Sequence, residues 1–141
     1  MLKSDALILL IKSLSKAEKK SFKMRSSDSD YLFLFDIITA NPLITSKQLR
    51  KKFAQSKHNG SFDVCVSYLY KLLLDTLLTL RRSQDKSSFL FDMIFKAKIL
   101  FERSLFDEAF YLLTKVKKEA LKFDDYYIYV YAARLELNYL L

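Results

Sequence analysis

The sequence predicts an all-α protein, a right-handed stack of about seven or eight antiparallel helices. Three observations carry that prediction. The 141 residues include one glycine, Gly60, and one proline, Pro42, whereas sheets need turns rich in Gly, Pro, Asn and Asp. Half the chain, 51%, is hydrophobic, which is enough for a core without disulfides or metals. The apolar residues recur at helical spacing, with only short polar links between the runs.

Taken in order, a first helix over about 4–13 ends where Ser15-Lys-Ala-Glu18 forms a capping box, which starts a second over about 16–25. Tyr31, Leu34, Phe35 and Ile38 share one stripe of a third, over about 28–41, closed by Asn41-Pro42. Thr45 or Ser46 begins a short basic helix that runs to about Phe53, and Gln55 to Ser61 is a loop. The longest apolar stretch, Phe62 to Arg82, lines up Phe62, Val66, Leu69, Leu73, Leu77 and Leu80. Leu72, Leu74 and Leu78 widen that stripe and predict burial on more than one side. Three further helices follow. The first, over about 88–103, has Phe89, Met93, Ala97, Leu100 and Phe101 inward. The second, over about 106–122, has Phe106, Ala109, Phe110, Leu113, Val116 and Ala120 inward. The last begins at Tyr126 behind Asp124-Asp125.

We expect one helical domain over 1–141, with a basic front, 1–58, and a helical-hairpin stack, 59–141. Residues 1–58 carry 12 basic and five acidic side chains, whereas 59–141 are nearly balanced at 12 to 11, for a total net charge of +8. A charge excess confined to one part raises nucleic acid, an acidic protein or a membrane surface as partner, against a simple solvated face.

Little in the sequence supports catalysis. His58 lies beside Asn59-Gly60 with no second ligand at metal spacing, and there is no glycine-rich phosphate loop. Asp107-Glu108 and Asp124-Asp125 stand at helix starts, where carboxylates complement the helix dipole. Cys65, between Val64 and Val66, reads as a small buried apolar residue. No enzyme, catalytic residue, metal or cofactor is therefore expected. The apolar run Ala6 to Ile11 is too short for a membrane span and is closed by Lys12, so an amphipathic helix in a cytoplasmic protein is expected.

The stretch 90–123 resembles a tetratricopeptide unit. Ala97 and Ala109 take the small positions where two helices touch, and Leu100 and Leu113 the large ones. Phe106 takes the aromatic place at the start of the second helix. Ser104 stands where the turn glycine is usual, Val116 replaces a second alanine, and no proline closes the unit at Leu121. Leu14-Ser-Lys-x-Glu-Lys-x-x-Phe22-Lys, Tyr31-Leu-x-Leu-Phe-Asp-Ile37 and Tyr68-Leu-Tyr-Lys-Leu-Leu-Leu-Asp75 resemble the opening of long bacterial proteins that continue into tetratricopeptide-like helices. The resemblance implies a helical-repeat scaffold for protein contacts, with tetratricopeptide-like pairing in the C-terminal half. The uncapped apolar ending Leu135 to Leu141 suggests the front piece of a longer protein, or self-association through the last helix.

The expected function is therefore protein binding, with Tyr126, Tyr127, Tyr129 and Tyr131 as aromatic contacts. The rival is a nucleic-acid-binding segment over 28–82 with helix-turn-helix order, in which Lys47, Arg50, Lys51, Lys52 and Lys57 would touch phosphates. The following helix opens with Phe62-Asp-Val-Cys-Val66, where base reading would want Arg, Asn or Gln.

Overall fold

In the computed structural model, which describes residues 2–26, 29–56 and 60–141, eight α-helices hold 84% of the described residues and no strand occurs among them. They are α1 (Lys3–Ser13), α2 (Lys16–Arg25), α3 (Ser29–Ala40), α4 (Ser46–Gln55), α5 (Phe62–Arg82), α6 (Lys86–Glu102), α7 (Phe106–Lys122) and α8 (Tyr126–Leu140). The chain packs as two compact units, Met1–Thr79 and Leu80–Leu141, so the packing boundary falls near the end of α5 and not at Gly60, where the charge changes.

Local chemistry sets the ends of the helices. Ser15 accepts from the Glu18 amide at 3.1 Å while the Glu18 carboxylate accepts from the Ser15 amide at 3.1 Å. Thr45 and Gln48 repeat this capping box at α4. Pro42 occupies the second place of the turn that links α3 to α4, closed by the Ile44 amide donating to the Asn41 carbonyl. Space is tight at Gly60, where a Cβ would stand 3.2 Å from Cys65 Sγ.

In the first unit α1 packs on α3 and α4, and α3 on α4. Leu7, Ile11, Leu34, Phe35, Ile38 and Leu49 form its core with Phe22 of α2 and the inner side of α5, Phe62, Cys65, Val66, Leu69 and Leu73. Buried Ser4 donates to Ser46, which donates in turn to Asp5, so the polar group inside the α1–α4 contact is satisfied. The expected second buried side of α5 is not found. Leu74 and Leu78 are 43% and 49% exposed, because the other helices of this unit cover one side of α5.

In the second unit α7 packs against both α6 and α8, and α6 also touches α8. The links, Arg103–Leu105 and Phe123–Asp125, are too short for anything but antiparallel neighbours, so α6 and α8 run the same way. Side chains pin both ends. Ser87 of α6 donates to Asp125, the N-cap of α8, at 2.8 Å, and Phe101 stacks on Tyr139 at 3.6 Å. Leu90, Met93, Ile94, Ala97, Leu113, Val116, Ala120, Ile128 and Ala132 form the core. This corrects the expected inward side of α6. Phe89 is 56% exposed, and Leu90 and Ile94 are buried instead, because α6 is touched by two neighbours and buries the arc between them. Phe106 is also half exposed.

Candidate functional site

Two surfaces concentrate side chains with recognition chemistry, one in each unit. In the first, α4 is held by Leu49 and Phe53 in the core, which leaves Lys47, Gln48, Arg50, Lys51, Lys52 and Gln55 outside. Arg50 is committed elsewhere: it donates to Asp63 at 2.7 Å and lies 4.6 Å over the Phe62 ring, tying α4 to the start of α5. Lys47, Lys51 and Lys52 have no ion pair among the described residues, whereas Lys57 lies outside those residues, as does His58. Lys51 and Lys52 line a cleft of about 720 Å³ between α4 and the turn at residues 40–44, together with Asn41, Gln48 and Gln55. Pro42 and Leu43 form its lip, and Leu43 is 90% exposed.

The start of α5, where a recognition helix would read bases, exposes Asp63, Val64, Ser67, Tyr68 and Lys71 around a shallow hollow. One acid, one base and an apolar centre do not match the donor and acceptor pattern of base edges.

The second surface lies along α6 and α8. Phe91, Phe95 and Ile99, one turn apart on α6, are 43%, 53% and 51% exposed. Beside them Lys98 donates to the Tyr131 hydroxyl at 2.7 Å and stands over the Phe95 and Tyr131 rings, which joins the two helices into one face. That hydrogen bond holds the Lys98 ammonium above its ordinary range, and burial raises Tyr139 at the end of the same helix pair. Three of the four sequence-named tyrosines are exposed: Tyr126, Tyr127 and Tyr131. They line a shallow hollow of about 400 Å³ with Val130 and Arg134, whereas Tyr129 packs against the core.

Phe91, Phe95, Ile99 and Lys98 were not singled out from the sequence. Their signal was legible: 91, 95 and 99 form an apolar row next to the row 90, 94 and 97, more than one buried stripe can use. Asp107 and Glu108 lie exposed in the first turn of α7, Asp125 caps α8 through the Ile128 amide, and no group of three metal-ligating side chains occurs among the described residues. No helix of the described chain is long and apolar enough to cross a membrane. Comparison with protein-family models, curated proteins and solved structures finds no match.

Proposed function

We propose that the chain is a non-enzymatic helical scaffold that binds another protein through the face shared by α6 and α8. The observation that carries this reading is the exposed row Phe91, Phe95 and Ile99 set beside the Lys98–Tyr131 pair. Aromatic side chains in a contiguous patch are the usual anchors of protein interfaces, whereas single exposed apolar residues are ordinary surface. In this reading α6 to α8 form a right-handed, tetratricopeptide-like stack. The left-handed backbone at Ser104, φ 64°, supports it, since that conformation is the one a turn glycine would serve.

The test is selection of peptides from a random display library on the immobilised full chain. A shared pattern should emerge whose binding is weakened about tenfold or more by Phe95→Ser or Tyr131→Ser, the loss expected of an interface anchor. Lys51→Gln with Lys52→Gln should leave it unchanged. Failure to enrich any pattern, or binding indifferent to the α6 and α8 substitutions, overturns the proposal.

A further inference from the structure

We infer that the first unit carries a separate site, the cleft between α4 and the turn at residues 40–44, which grips the phosphate backbone of duplex nucleic acid without reading its sequence.

The cleft is rich in donors. Lys51 and Lys52 each bring an ammonium without an ion pair among the described residues. The Gln48 side-chain oxygen is occupied, because it accepts from the Thr45 amide in the capping box, so its amide NH₂ is left for a ligand. Asn41 spends its NH₂ on the Ile37 carbonyl and fixes the cleft wall. Lys47 stands one helical turn before Lys51 and extends the positive row along α4. Asp63, the acid that reaches α4, is paired with Arg50, and no carboxylate among the described residues pairs with these lysines. The surrounding sequence adds to the field, with residues 1–58 at a net +7.

Three features select duplex backbone from the polyanions that a basic cleft could hold. No aromatic side chain among the described residues lines the cleft, so these residues offer no platform for the unstacked bases of a single strand. No row of exposed apolar residues accompanies the lysines on α4, whose outward side is polar apart from Ala54, so it lacks the apolar half of a membrane-surface helix. An acidic protein would need buried anchors, and here only Pro42 and Leu43 protrude.

Fluorescence anisotropy of a labelled mixed-sequence duplex with the full chain tests this. If Lys47, Lys51 and Lys52 each displace a counterion, log K falls with log salt at a slope of about −2.7. Affinity then drops roughly forty-fold between about 50 and about 200 mM salt. Lys51→Gln with Lys52→Gln should reduce the slope to about −0.9, a three- to four-fold drop over the same range, with unchanged far-ultraviolet circular dichroism. Leu74→Ser, on α5 and outside the cleft, should leave both values alone. Absence of duplex binding at low salt overturns the inference, as does a slope that ignores the double substitution. Tighter binding to phosphatidylserine vesicles that Leu43→Ser abolishes would assign the cleft to a lipid surface instead. Equal binding of polyglutamate would assign it to acidic protein. Because the protein-binding test reads α6 and α8 alone, the two readings fail independently.

Discussion

Ser104 and Asp124 close α6 and α7 in the left-handed region, at φ 64° and 55°. Both turns share one hydrogen-bond pattern: the Leu105 amide donates to the Leu100 carbonyl and the Asp125 amide to the Ala120 carbonyl, with a bond that closes a smaller ring nested inside each. That is the arrangement in which glycine normally takes the left-handed place. A non-glycine residue there costs about 1–2 kcal/mol. Replacing it with glycine removes that strain but adds about 0.4–1 kcal/mol of entropy to the unfolded chain. For Ser104→Gly the net gain is about 0.7 kcal/mol. With a urea m-value near 2 kcal/mol/M, the midpoint followed by circular dichroism rises by about 0.4 M. Protected amides of α7, such as Leu113, should exchange about threefold more slowly. Asp124→Gly should gain almost nothing, because Asp tolerates this region better and its carboxylate accepts from the Tyr126 hydroxyl at 3.2 Å. A lowered midpoint for Ser104→Gly, or an equal gain from Ser104→Ala, would refute the backbone-strain argument.

Two more predictions concern the same unit. Lys117 bridges α7 to Glu136 of α8 at 2.9 Å, with both side chains about three-quarters covered. Lys117→Ala should lower stability by about 1–2 kcal/mol by leaving a largely covered carboxylate unpaired. Lys117→Met with Glu136→Leu should restore most of the loss, and urea midpoints of the three proteins decide it. The pH prediction rests on Tyr139, whose burial raises its pKa above the ordinary 10.0. The unfolded chain then loses this proton first, so stability is intact below about pH 10 and falls as pH rises beyond it. Lys98, raised from 10.5 by its bond to Tyr131, acts in the same direction, since the folded state holds its proton longer. Tyr139→Phe keeps a ring to stack on Phe101 and should make the alkaline fall shallower. An unchanged fall in urea midpoints between neutral and alkaline pH would count against this assignment.

What the sequence revealed follows the range of the interaction involved. The capping boxes at Ser15 and Thr45 are made within four residues, and both helix starts were legible, although the second left Thr45 and Ser46 as alternatives. Helix boundaries agree to within about two residues wherever a cap, a proline or a polar link marks them. Orientation about the helix axis was less legible. Leu74 and Leu78 look like core residues until it is known that one side of α5 is covered, and Phe89 looks better buried than Leu90 until α8 is placed beside α6. The α4 lysines were visible as a basic run, but the loss of Arg50 to Asp63 joins two helices and could not be read from either.

The aromatic residues of α6 decide how the exposed surface should be interpreted. A helix apolar on nearly all sides belongs in the middle of a large core, yet the main neighbours of α6 within its unit are α7 and α8. If Phe91, Phe95 and Ile99 were merely surplus, nothing would require them to fall one turn apart or to adjoin a lysine fixed by a tyrosine of the next helix. Fixing Lys98 costs side-chain entropy, and the exposed Lys98–Tyr131 hydrogen bond returns little stability in water. The bond gains strength once a partner excludes water from it, since charge-assisted hydrogen bonds grow in a low dielectric. In the proposed reading, the polar pair is worth more once a partner covers it. Lys98→Met, which removes the charge and keeps most of the apolar stem, should weaken binding of the selected peptides more than it lowers the urea midpoint of the free chain.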